Sequence, residues 1–203
     1  ATPPKPYLIR VNSLDDYNLE ITISLIGTAI NQEEFIFEKF ENVVKKLINK
    51  SNFSIININN KSETIKITEK SNKEKFNKGE IIFITPIAIN IGGKITGDFE
   101  FKDIIKRFFE RYTAIAYNWC NEKEVIDYRN VIEAAENINI VKRELKLEKI
   151  LRKTGRSNST YLLMGFKGKI EIEGEELWRF KEIIEIAENI NIGKYTDWGF
   201  GEI

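Results

Sequence analysis

At 203 residues the chain suits one ordinary domain or two small ones, and with 42% apolar and 11% aromatic residues it can bury enough surface to exclude intrinsic disorder. Thirty-one basic residues against 31 acidic ones leave no net charge, so any polyanion site must be local. A single cysteine, Cys120, and no histidine exclude an intrachain disulfide, a Cys/His zinc site and imidazole acid/base chemistry.

Ala1 to Pro6 carries three prolines and reads as an extended lead-in, with structure beginning near Tyr7. Leu19, Ile21, Ile23 and Leu25 alternate with polar residues, the period of a half-buried strand, closed by Gly27. Ile36, Phe40, Val43, Val44 and Leu47 then recur at helical spacing behind Glu33 and Glu34, whose charges suit a helix N-terminus. Short strands are expected around 53–58 and 63–68. The polar, lysine-rich stretch 71–79 is the predicted linker between a first unit, 1–70, and a second, 80–203.

In the second unit, 81–91 is a β-branched run expected to be a strand, with a bulge or edge at Pro86. Phe101, Ile104, Ile105, Phe108, Phe109, Tyr112, Ile115, Ala116 and Trp119 predict a helix of about five turns. A helical insertion is expected near 122–137, then a strand over 138–151, where strand and helix periods fit comparably badly and context decides. Alternation from Leu162 to Ile172 predicts the next strand, stopped by Gly174, and Leu177 to Ile190 the last helix before a short terminal strand. The fold class is therefore α+β. Residues 80–203 give the β-α-β-β-α-β order of a ferredoxin-like (RRM-like) domain, and 1–70 gives β-α-β, the second half of another such unit.

Charge is segregated along the chain. Residues 141–169 hold nine Lys/Arg and two Glu, whereas 171–188 hold seven Glu and two basic residues. Lys142, Arg143, Lys146, Lys149, Arg152, Lys153, Arg156, Lys167 and Lys169 could line a surface that tracks a phosphate backbone, or could simply keep a hairpin solvated. Beside them in function stands Gly193-Lys-Tyr-Thr-Asp-Trp-Gly199-Phe-Gly201. Its amides could meet phosphate oxygens, Lys194 add charge, and Tyr195 or Trp198 stack on a base. Equally, Gly193 could be a helix C-cap, and Trp198 and Phe200 core. The candidate RNA-binding residues are Arg152, Lys153, Arg156, Ser157, Lys167, Lys169, Gly193, Lys194, Tyr195, Gly199 and Gly201. Arg107 and Arg111 are expected as surface or domain-contact charges, Tyr112 as core, and Cys120 as a lone buried or helix-end thiol. No apolar run reaches the roughly 18 residues of a bilayer span and the N-terminal residues lack the charged, apolar and small-residue zones of a signal peptide, so a cytoplasmic protein without a membrane partner is expected.

Gly79-Glu-Ile-Ile-Phe-Ile-Thr-Pro86, the long helix with Arg107 and Arg111, Gly155-Arg-Ser157, Gly165-Phe-Lys-Gly168 and the terminal glycine loop together resemble the CRISPR-associated repeat-RNA endoribonucleases of the RAMP superfamily. Pro3-Pro-Lys-Pro-Tyr-Leu-Ile9 looks like that family's junction into the second half of its first ferredoxin-like domain, which implies a chain truncated at its N-terminus. The resemblance implies binding and metal-independent cleavage of repeats in precursor CRISPR RNA, by attack of a ribose 2′-hydroxyl on the adjacent phosphate. It implies no cofactor, and RNA as partner beside a second copy or other CRISPR-associated proteins. Family members often use histidine with tyrosine or lysine; with no histidine here, the catalytic residues are unassigned. A non-catalytic RNA-binding subunit and a structural assembly module are the competing readings.

Overall fold

The computed structural model describes residues 3–16, 19–48, 75–123, 127–153 and 159–203. The strands expected at 53–58 and 63–68, and most of the linker, lie outside these residues. The chain opens with an antiparallel hairpin, β1 (Tyr7–Ser13) and β2 (Leu19–Leu25), in which Tyr7 faces Leu25 and Ser13 faces Leu19. A 3-10 turn (Gly27–Gln32) leads into α1 (Glu33–Ile48). β1 was not foreseen as a strand, because prolines precede it and its outward end, Val11 to Ser13, is exposed and lacks apolar alternation.

The second unit is built on β3 (Lys78–Ile87), β6 (Asn139–Lys153) and β7 (Thr160–Glu173), ordered β3-β7-β6 and antiparallel throughout. The register of β3 on β7 breaks between Phe83 and Ile87, the irregularity expected at Pro86. The C-terminal residues lie along the other edge of β3. Ile84 and Thr85 donate to the Glu202 carbonyl at 2.9 and 3.4 Å, and Gly201 donates to the Pro86 carbonyl at 3.0 Å. These bonds stand where a regular terminal strand was expected. A short hairpin, β4 (Asn90–Ile91) and β5 (Lys94–Ile95), follows β3.

One face of the sheet carries the helices. Ile81, Phe83, Ile170 and Ile172 point into a core shared with α2 (Phe101–Trp119) and α4 (Lys181–Ile190). In α2, Phe101, Ile104, Ile105, Phe108 and Ile115 are buried at helical spacing. Its start is fixed by a capping box, the Glu100 and Asp103 side chains each accepting from the other's backbone N–H. Burying such a face contributes roughly 1.5–3 kcal/mol per large side chain, far more than helix propensity does. Among the described residues of the insertion expected over 122–137, the helix is α3 (Arg129–Ala135), separated from α2 by Asn121, which takes positive φ. By alternation the other sheet face presents Ile82 and Ile84 of β3, both about half exposed, beside the charges of β6 and β7.

Candidate nucleic-acid interface

The C-terminal loop is held shut by its own backbone. Asn191, 1% exposed, ends α4 at φ 59°, ψ 163°, a conformation that is costly for any residue with a Cβ. Its Nδ2 donates to the Phe200 carbonyl at 2.9 Å and closes the loop on itself. Ile192 donates to the Gly201 carbonyl at 2.8 Å, and Lys194 to the Ala88 carbonyl at 3.0 Å. Glycine at 201 follows from this closure: φ is +76°, and a Cβ would lie 1.8 Å from the Ile192 carbonyl oxygen. Gly193, at φ +90°, passes the Ala88 carbonyl less tightly, a Cβ there lying 2.9 Å from its oxygen, and Asn191, not Gly193, is the residue that ends the helix. The amides of Lys194, Gly199 and Gly201 all donate within the chain. These glycines thus serve close packing of backbone on backbone, where the sequence suggested amides free for phosphate.

The loop's aromatic residues meet the basic hairpin. Phe200 is buried with Ala88 and Leu163, and Tyr195 and Trp198 pack against that cluster. The Tyr195 ring stands edge-on to Phe200 at 5.6 Å. Arg152 of β6 lays its guanidinium over the Trp198 ring, a cation–π contact that ties hairpin to loop. Exposed Lys153 ends β6, and exposed Lys194 has no ion-pair partner among the described residues. Arg156 and Ser157 lie outside the described residues.

The eight of these basic residues that are described do not form one surface. By register, Lys142, Lys146, Arg152, Lys167 and Lys169 share the helix-free side, whereas Arg143, Lys149 and Lys153 alternate to the other. Arg143 donates to the Phe99 carbonyl at 2.8 Å. Two of the shared-side lysines are neutralised: Lys142 pairs with Glu144 at 2.6 Å and Glu171 at 3.1 Å, and Lys169 with Glu80 at 2.7 Å. Their carboxylate partners raise both ammonium pKa values, and Lys142 in turn lowers that of Glu144. Lys146 and Lys167 stand directly opposite each other, both exposed, with no carboxylate partner among the described residues. Like charges so placed are destabilising in a free sheet.

Two arginines fix the loop from behind. Arg111 Nε donates to the Ile190 carbonyl, and Arg10 Nη2 to the Glu188 carbonyl, placing positive charge at the C-terminal end of α4 where the dipole favours it. Arg111 is 8% exposed, which corrects its expected surface role: it sits on the core face of α2, between Phe108 and Ile115. Burial lowers its pKa to about 10, with the Asp197 charge acting in the opposite sense, so it is cationic at neutral pH. Arg107 instead pairs with Glu110 and donates to the Asn90 carbonyl. Arg10 also pairs with Glu202 at 2.8 Å, docking the N-terminal hairpin on the C-terminus. A cleft of about 290 Å³ opens between the two, lined by Arg10, Thr85, Asp197, Trp198, Gly199 and Glu202 among others. Tyr112 stacks on Phe108 at 5.5 Å, as a core residue should. Cys120, at the end of α2, is exposed rather than buried, with its thiol pKa raised by partial desolvation. Sequence reasoning missed Arg10 and Asn191. The one available signal was Asn191 itself, since asparagine tolerates positive φ better than other non-glycine residues.

Fold and site define an α+β protein in which a latched C-terminal loop packs against the basic hairpin through the Arg152–Trp198 contact. The family model for the CRISPR-associated endoribonuclease Cas6 matches residues 81–203. The chain belongs to that family. Solved structures share its fold at low identity. A Cas6 (TTHA0078) product complex superimposes with TM-score 0.59 at 12% identity, covering 97% of this chain and 80% of that one. A Cas6 (TTHB231) product complex gives 0.57 at 14%, covering 98% and 82%. Thermus thermophilus Cas6 (TTHB231) gives 0.54 at 12%, covering 98% and 78%. No curated protein matches significantly.

Proposed function

We propose that this chain binds repeat sequences of precursor CRISPR RNA through the C-terminal loop and the β6–β7 hairpin, and cleaves them without metal by 2′-hydroxyl attack on the scissile phosphate. The observation that carries the reading is the Arg152–Trp198 stack, which joins hairpin to loop within the region matched by the Cas6 family model. In this reading the second unit is ferredoxin-like. Its sheet order, terminal segment–β3–β7–β6 with α2 and α4 on one face, is the order that topology requires.

Lys194, Lys167, Arg152, Lys153, Arg156 and Ser157 supply phosphate contacts. Lys169 joins them when RNA displaces Glu80. Gly193, Gly199 and Gly201 hold the loop so that Tyr195 and Trp198 present π-faces to unpaired bases. Cleavage needs a base for the hydroxyl proton, an acid for the leaving oxygen and fixed positive charge on the phosphorane; the cationic surface supplies the last.

The test is incubation of the protein with repeat RNA in excess chelator. Cleavage at one position, leaving a 2′,3′-cyclic phosphate and abolished by a 2′-deoxy substitution there, supports the proposal. Tight binding with intact RNA supports a non-catalytic RNA-binding subunit. Absence of binding at low salt removes RNA from the account.

A further inference from the structure

We propose that the cleft between the N-terminal hairpin and the C-terminal loop is a base-reading subsite, in which the Asp197 carboxylate selects an unpaired guanine by its N1–H and 2-amino group. The inference rests on the RNA-binding reading above and adds to it a sequence preference, which phosphate contacts do not supply.

The cleft is lined from β1 by Arg10 and from the C-terminal segment by Asp197, Trp198 and Glu202. Gly199 lets the two come close: at φ +81°, a Cβ there would lie 3.3 Å from the Ile9 carbonyl oxygen. Most polar groups in the cleft are already used. Arg10 is bonded to Glu202 at 2.8 Å and to the Glu188 carbonyl, and Thr85 Oγ1 accepts from the Glu202 amide at 2.9 Å. Asp197 differs. It is half-buried and has no hydrogen-bond or ion-pair partner among the described residues. Arg111 senses its charge but gives its Nε–H to the Ile190 carbonyl. What the cleft leaves open is therefore an anionic acceptor, which repels phosphate and calls for a hydrogen-bond donor.

Among the RNA bases, guanine has the matching edge. It carries two adjacent donors, N1–H and the 2-amino group, spaced for the two oxygens of a carboxylate. In adenine and cytosine the amino group adjoins an unprotonated ring nitrogen, and in uracil N3–H lies between two carbonyls. Each of these sets a lone pair against the second carboxylate oxygen. The guanine edge is free only outside a base pair, so the subsite takes an unpaired nucleotide. Trp198 gives the base a ring to pack against, and Arg152 already holds that ring from one side.

Anisotropy titrations of the intact protein with repeat RNA test this, each unpaired guanosine being replaced in turn by inosine, which lacks only the 2-amino group. At one position inosine should weaken binding about tenfold. Asp197→Asn should abolish that difference. Its amide offers one acceptor and one donor, so the variant should bind RNA with adenosine or cytidine at that position better than RNA with guanosine. A loop merely disturbed by the substitution would lose affinity for guanosine and inosine RNA alike and keep their ratio. No inosine-sensitive position, or a ratio unchanged by Asp197→Asn, would overturn the inference while leaving RNA binding intact. Absence of any RNA binding would remove the RNA reading itself, and this inference with it.

Discussion

Replacing Gly201 by alanine isolates the latch that holds the C-terminal loop. The left-handed backbone alone costs an L-residue roughly 1–2 kcal/mol. At this position the new methyl would also fall 1.8 Å from the Ile192 carbonyl oxygen, so the two strands of backbone must separate. Separation loses the bonds from Ile192 to the Gly201 carbonyl at 2.8 Å and from Gly201 to the Pro86 carbonyl at 3.0 Å, each worth roughly 1 kcal/mol net. The expected loss is about 3–4 kcal/mol in all. Gly92 is the internal control: its φ is +56°, but nothing lies within 4 Å of a built Cβ, so Gly92→Ala should lose only the conformational part, roughly 1–2 kcal/mol. Urea unfolding, with the slope against denaturant checked for constancy, measures both. If the two variants prove equally stable, the close approach at Gly201 is not what shapes the loop.

A double-mutant cycle on Arg152→Ala and Trp198→Ala should give a coupling of roughly 0.5–1 kcal/mol in unfolding experiments; additive losses would mean that hairpin and loop are energetically independent. Lys194→Ala should weaken repeat-RNA binding across sequences and lower the slope of log affinity against log salt by about one, whereas an unchanged slope removes Lys194 from phosphate contact. The Glu144 carboxyl, held below the usual glutamate range by Lys142, contributes stability that is present above the unfolded pKa and lost as pH falls through the lowered one. NMR titration of Lys142→Met should show Glu144 titrating at higher pH, and no movement would deny the pair.

Periodicity carried most of the fold. α2 and β7 announce themselves because one face of each is largely apolar, from Phe101 to Ile115 with Arg111 the exception, and from Leu162 to Ile172. β6 was placed by context because its sides alternate charge with charge: both are largely exposed at an edge, so burial leaves no mark on the sequence. The helix expected across 122–137 is shorter than that, running over Arg129–Ala135 among the described residues, with Asp127 accepting from the Arg129 backbone N–H at its start. The site was legible as composition but not as geometry. Nothing in the order of Gly193 to Gly201 shows that the amides of Lys194, Gly199 and Gly201 turn inward. Nor does the sequence show that Arg10 and Arg111, 101 positions apart, reach carbonyls two residues apart at the end of α4.

Ultraviolet cross-linking of repeat RNA to the intact protein, with adducts mapped by mass spectrometry, tests the RNA-binding assignment most directly. Adducts should fall on Tyr195, Trp198 and Tyr161, the tyrosines and tryptophan of the loop and the hairpin. Adducts confined to α1 or to the outer face of α4, with the loop and hairpin unmodified, would contradict it.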